Sequence, residues 1–345
     1  MKRSTYLWFA ARRIGQALVV IVLAYLATFL VLSILPGDPI STVLNNPDNG
    51  YTPDQVAKII SYFKLDDPTW VQLARAISRF VSGDLGISYG TQQPVTHMIT
   101  QVAKSTLALA GVGLVVALIV AFAVGYGSYA LPKWAGRDAL RSFPSLFLAV
   151  PNYVVGLLVL LFFSFNLNLF SVVEPESVTA TLFAGLTLGI PVSAQLAEVV
   201  IATLNHEADQ EYASVARSRG LTKGRLFLAH LLKPSSIPVV TVIALIVGEL
   251  LGGAIITEQL FGRDGMGTLL IRSVSTQDTP VVQAMVVLAA AIFVVVNLAA
   301  DLAYPFLDPR VRGTARREPS LPAPGRVPRD GGGFVPSALT PSAEA

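Results

Sequence analysis

The chain has 345 residues, of which 53% are hydrophobic and only 14% charged, with a mean hydropathy of +0.60. That balance excludes an ordinary soluble domain and describes an integral membrane protein, which the helical spans below make an all-α one. A net charge of +3 is too small to argue for nucleic acid, and the absence of cysteine excludes disulfides and thiolate metal sites.

Residues 1–13 carry Lys2, Arg3, Arg12 and Arg13 and no acid, and the 22 uncharged residues from Ile14 to Leu35 follow. That run is long enough to span roughly 30 Å of hydrocarbon and lacks a small-residue cleavage site, so it predicts an uncleaved first span. Residues 36–104 turn soluble in composition. Thr52-Pro53-Asp54 predicts a capped helix start with proline in its first turn, and Asp67-Pro68 repeats the device before the helically spaced Val71, Ala74, Ile77 and Val81. Two short amphipathic helices are expected there, ended by Gly83-Asp84-Leu85-Gly86.

Five further apolar runs, the first three and the last uncharged, bring the expected spans to six: Ser105–Leu131, Ser142–Val173, Ser177–Ala197, Pro238–Thr257 and Thr279–Ala300. The second of these holds Pro144, Pro151 and Asn152, so its span is expected to begin near them. Beyond residue 305 the tail is rich in Pro, Gly, Ser and Arg and predicts disorder.

Basic residues set the orientation. Lys133, Arg137 and Arg141 lie in the 131–143 connection, five basic residues lie in 205–236, and Arg310, Arg312, Arg316, Arg317, Arg326 and Arg329 lie in the tail. The alternate segments are neutral or acidic: residues 37–104 have five basic against six acidic residues, and 167–178 contain only Glu174 and Glu176. Both termini are therefore expected in the cytoplasm, with 36–104 outside.

Chemistry-bearing motifs are scarce. No G-x-x-x-x-G-K-[ST] occurs, and Gly262-Arg263-Asp264-Gly265-Met266-Gly267-Thr268 lacks the lysine that would reach a phosphate. Three histidines, His97, His206 and His230, do not make a metal site, and no nucleophile signature is present. What stands out is the loop 205–237, where Glu207, Asp209, Glu211, Arg217, Arg219, Lys223, Arg225 and Lys233 interleave with Ala213, Val215, Ala216 and Leu221. Such a stripe on a helical wheel wants a partner. Two partners are open: a protein groove, or the lipid headgroups.

Taken together, the motifs resemble the binding-protein-dependent ABC importer permeases, specifically the B-type transmembrane subunit of dipeptide/oligopeptide permeases. The residues that carry the resemblance are Glu211-Tyr212, Ala216-Arg217-Ser218-Arg219-Gly220, His230 and Ile237-Pro238 in the loop. Leu35-Pro36-Gly37-Asp38-Pro39, Gly83-Asp84-Leu85-Gly86, Pro94-Val95, Pro280-Val281-Val282-Gln283 and Asp308-Pro309-Arg310-Val311-Arg312 carry it elsewhere. The resemblance implies the type I six-helix permease fold in a bacterial inner membrane. It also implies a second permease subunit, two ATPase subunits or domains, an extracytoplasmic substrate-binding protein, and ATP and Mg held by the ATPase, with no cofactor and no catalytic residue in this chain. Loop 205–237 would be the cytoplasmic coupling helix, with Ala213, Val215, Ala216 and Leu221 packed on the ATPase and Glu211, Arg217 and Arg219 at the rim. Gly220 would permit the turn between two short helices.

Two acids interrupt apolar runs. Glu249 lies roughly 17 Å into its span, near mid-bilayer, amid Gly248, Gly252 and Gly253. It could face the substrate path and meet an amino group, or be a neutral carboxyl bonded to a neighbouring helix. Glu198 sits nearer the cytoplasmic end at headgroup level. The expected cargo is di- or oligopeptide; a nickel or other small-solute importer remains open, as does a stand-alone secondary transporter, for which no inverted repeat is visible.

Overall fold

The computed structural model describes residues 3–34, 52–63 and 67–307, and these form helices joined by short turns. In chain order they are α1 (Arg3–Ile34), α2 (Pro53–Phe63), α3 (Thr69–Val81), α4 (Val95–Ala130), α5 (Arg137–Leu148), α6 (Asn152–Val159), α7 (Val178–Ala208), α8 (Glu211–Ser218), α9 (Lys223–Leu226), α10 (Leu232–Phe261), α11 (Met266–Ser275) and α12 (Thr279–Leu307). The Leu35–Pro39 motif, the closing Asp308–Arg312 motif and the tail expected to be disordered lie outside the described residues.

Five stretches are long and apolar enough to cross a membrane unaided: Ala11–Leu32, Val95–Ala130, Val178–Ala208, Lys223–Phe261 and Thr279–Leu302. The sixth expected span is broken. Its uncharged run divides at residues 149–151 into α5 and α6, which a π-helical turn, Leu160–Asn166, prolongs; the two halves bend by 104°. Pro151 explains the break, since the residue before a proline is pushed out of helical geometry. Pro144 is tolerated inside α5. The second span also differs from its uncharged run, because α4 starts at Val95, ahead of Lys104.

The bundle core is built on α4, α6, α7 and α10, with Leu109, Leu188, Leu196, Ile246 and Leu250 buried between them. α4 and α7 cross so closely that a Cβ at Gly189 would lie 2.5 Å from the Gly113 carbonyl oxygen. Small residues at such a crossing let two backbones approach without side chains between them. α1 stands outside this core against α12, with an Arg13–Asp301 ion pair of 3.2 Å at one end and Tyr25 against Phe80 of α3, ring centroids 4.8 Å apart, nearer the other. Asp67 does not cap α3 as expected: Pro68 holds the N-cap position, and Asp67 accepts a 2.6 Å hydrogen bond from Arg75.

At the end of the bundle away from the 205–237 loop, segments far apart in sequence converge. Val95 and Ile99 of α4, Met266 and Leu269 of α11, and Val281 and Met285 of α12 form one buried cluster, with Leu85 against it. Asp278 ties the preceding turn to it, accepting from Ser88 Oγ at 2.5 Å and from the Tyr89 and Gly90 amides. Glu258, fully buried, accepts from Thr106 Oγ1 at 2.5 Å and from the Thr268 amide at 3.0 Å. Its carboxylate thus serves the first turn of α11 as an N-cap side chain would, and the partial positive charge of that helix end favours it. The glycines explain themselves here. A Cβ at Gly265 would meet Glu258 Cδ at 2.1 Å, and one at Gly267 would meet Ile255 Cα at 2.6 Å.

Arg263 closes the same end. Only 1% exposed, it donates from Nη1 to the Pro175 carbonyl and to Thr181 Oγ1 (2.9 Å), and from Nη2 to Ser105 Oγ (3.2 Å) and Glu176 Oε2 (2.8 Å). Gly265→Ala should displace the Glu258 carboxylate and cost about 2–3 kcal/mol, the range for hydrogen bonds to a charged group. Gly252→Ala, where a Cβ would meet nothing within 4 Å, should leave stability unchanged. Thermal unfolding of the two variants in detergent checks the contrast.

Candidate functional site: a helical knob between two spans

The loop between α7 and α10 folds as a compact knob. α8 carries Glu211 in its first turn, where the helix dipole favours an acid, and Arg217 in its last. It ends in a Schellman motif: the Gly220 amide donates to the Arg217 carbonyl (2.9 Å) and the Leu221 amide to the Ala216 carbonyl (3.3 Å). Gly220 sits at φ +81°, which a side chain would strain. Thr222 then starts α9, whose π-helical continuation Phe227–Leu231 runs into α10. The expected pair of short helices about Gly220 is present.

Which face points outward differs from the expectation. Ala213 (0% exposed) and Ala216 (8%) are not available to a partner; they are buried with Leu204, Ala208, Leu226 and Leu231, and Tyr129 and Leu221 pack on that cluster. Ala213 and most of Ala216 are thus consumed inside the chain, because α8 folds back on the end of α7, while Val215 of the same expected face stays exposed. Arg217 is likewise turned to internal use: its Nη2 donates to the Ala208 carbonyl at 3.0 Å, satisfying a backbone acceptor at the end of α7. What remains outside is the opposite side, a shallow groove lined by Glu211, Tyr212, Val215, Arg219 and His230, with Ala216 and Leu221 at its floor. Tyr212, which the wheel passed over, donates to Glu207 Oε2 at 2.5 Å. Partial burial and that carboxylate push its phenol well above its ordinary pKa, so it stays a neutral donor at physiological pH.

The two acids in the spans separate. Glu249, half-buried on α10, accepts from Gln195 Nε2 of α7 at 3.2 Å, whereas Glu198 is exposed. The three glycines around Glu249 also part company. A Cβ at Gly248 would meet the Phe293 ring at 2.7 Å and one at Gly253 would meet Leu188 at 2.8 Å, but Gly252 faces open space. Gly252 therefore leaves a gap beside Glu249 on the bundle surface and does not serve packing within this chain. The residues that composition assigned to a loop, Glu258, Arg263 and Asp278, are the buried charges of the opposite end. Among the described residues no group of His, Asp and Glu is placed to hold a metal ion.

The described residues thus form a helical bundle with several helices long and apolar enough to cross a membrane and a compact helical knob between two of them, the architecture of a multi-pass membrane protein. Residues 113–313 match the family described as binding-protein-dependent transport system inner membrane component. The chain is 30% identical to the dipeptide transport system permease protein of Lactococcus lactis subsp. cremoris (87% of this chain, 98% of the relative). It is 32% identical to the glutathione transport system permease protein of Escherichia coli O6:H1 (82% and 92%), and 28% identical to a probable peptide ABC transporter permease protein of Sinorhizobium fredii (87% and 98%). The chain belongs to the binding-protein-dependent inner-membrane permease family. It is a multi-pass inner-membrane permease subunit of an ABC transporter and works as part of a complex with other subunits.

The Arg217 bond makes the knob's integrity testable apart from transport. Arg217→Ala should raise amide hydrogen exchange across 209–221 by about tenfold, the equivalent of one hydrogen bond to a charged group. Membrane insertion should be unaffected.

Proposed function

We propose that this chain is one of two homologous permease subunits of an ATP-driven importer of di- and oligopeptides. Its knob docks on a cytoplasmic ATPase, and its opposite end faces an extracytoplasmic binding protein. The observation that carries the reading is the two-sided construction of the knob. One side is locked into the bundle through Ala213, Ala216 and Arg217, and the other presents Glu211, Tyr212, Val215 and Arg219 in an open groove. A rigid helical protrusion with a mixed aromatic, apolar and charged outer face is suited to a protein groove. The chain has no phosphate-binding loop of its own, so ATP and Mg belong to the partner. Basic residues gathered in the knob and in the 131–143 connection support a cytoplasmic placement of that end, with both termini on the same side.

Peptide cargo is favoured by the relatives, whose names refer to dipeptide, peptide and glutathione. In this reading ATP hydrolysis in the partner changes the relative stability of inward- and outward-facing arrangements, and the knob couples to them only by binding the ATPase differently in each. Glu249 and Gln195, beside the gap at Gly252, line the substrate path, where the carboxylate offers a counter-charge to a peptide amino group.

Val215→Asp and Arg219→Glu change the outer face only. Both should lower the amount of ATPase co-purifying with the chain at least about tenfold and stop uptake, with the chain's membrane level unchanged. Normal uptake of labelled di- and oligopeptides in these variants would remove the knob from coupling. Glu249→Gln should slow peptide uptake without loss of ATPase binding; an unmoved uptake rate would sink its placement in the path.

A further inference from the structure

We propose that the knob-side end of α4 carries a site for the phosphate of an anionic phospholipid, formed by Lys133, Trp134 and Lys223. α4 is long and apolar enough to cross a membrane and ends at Ala130, and Pro132 to Gly136 turn the chain into α5, which is bent by 104° from the segment Asn152–Asn166 that follows it. In this proposal α5, with Arg137, Asp138 and Arg141 on an otherwise mostly apolar helix, lies along the membrane surface. Its inner face, Leu140, Phe143, Pro144 and Phe147, is turned to the bundle, and Arg141, Ser142, Ser145 and Leu146 are exposed. At the head of this elbow Trp134 is 89% exposed. An indole so placed, at the boundary between a span and a surface helix, matches the preference of tryptophan for the headgroup region.

Two lysines from different elements meet at the same helix end. Lys133 precedes Trp134, is exposed and has no ion pair with any described residue. Lys223, the first residue of α9 in the knob, reaches across to donate to the Ala130 carbonyl at 3.3 Å, which uses one of its three N–H bonds. The nearest acid in this turn and helix, Asp138, already faces Arg137 at 3.7 Å, and α9 itself contains no acid. Among the described residues neither lysine has an ion pair, so the corner holds positive charge beside an exposed indole at the end of a helix long enough to cross a membrane, where lipid phosphates are expected. A net negative headgroup fits it; a zwitterionic one, whose own ammonium repels the lysines, fits less well. One headgroup bridging Lys133 and Lys223 also fastens the knob to the elbow, so the surface charge of the bilayer bears on the coupling element. This holds whatever the cargo.

The test uses the full chain with its transport partners in nanodiscs of phosphatidylcholine, with and without about one quarter phosphatidylglycerol, and Trp134 as sole tryptophan (Trp8→Phe, Trp70→Phe). Brominated phosphatidylglycerol should quench Trp134 more strongly than brominated phosphatidylcholine at equal content. Lys133→Ala and Lys223→Ala should each weaken that preference about fivefold, Lys223→Arg should keep it, and added salt should reduce it. Equal quenching by the two lipids, or free access of aqueous acrylamide to Trp134, would overturn the proposal. So would shielding of Trp134 that appears only when the ATPase is bound, which would assign the corner to that protein.

Discussion

Charge inside an apolar bundle is tolerated where opposite charge and hydrogen-bond partners compensate it, and this constraint organises the end of the molecule away from the knob, although among the described residues Arg263 Nε itself is buried without a partner. Glu258 and Arg263 lie on either side of the end of α10. The first draws in α4 and the start of α11, and the second draws in α4, α7 and the turn before α7. Removing either charge alone would leave the other groups of its network unmatched. The apolar cluster of Val95, Met266 and Val281 then packs around helix ends whose positions the polar contacts have already set.

The knob end is organised differently. Its buried groups are small and apolar, and its backbone acceptors are met by side chains that arrive from the loop itself: Arg217 at the end of α7 and Lys223 at the end of α4. Such an end holds its shape through local contacts, which leaves its outer surface free for a partner. Tight polar closure on one side and a self-contained protrusion on the other give the two ends of the subunit different surfaces.

Most of the helical order was legible in the sequence, because an uncharged run of about twenty residues has few explanations besides a span. The broken span was less so. Apolar composition continues unchanged through Ser142–Val173 and carries no information on direction; Pro151 marked the bend without giving its angle. The turn at Gly220 was legible from the family resemblance, with which the conformational freedom of glycine agrees. The destination of the Ala213/Ala216 face was not, since a helical wheel shows that a stripe will be buried and not against which chain. Glu258, Arg263 and Asp278 read as ordinary loop charges because their partners lie far away in sequence, at separations of 152, 87 and 190 residues. The one available signal was Gly265 with Gly267, a pair that fails as a phosphate loop and succeeds as a cradle for a carboxylate of the same chain.

α10 runs from the knob past Glu258 to Phe261 as a helix of 30 residues. At 1.5 Å per residue it is roughly 45 Å long. Held at one end by the buried polar network, it would act as a lever with its pivot at that end if a partner grips the knob as proposed. A tilt of about 5° about that pivot moves the knob end by about 4 Å, comparable to the one-turn rise of a helix. Displacements of the size that separate two packed arrangements therefore require only slight bending at the Glu258 end, where the structure is most strongly tied.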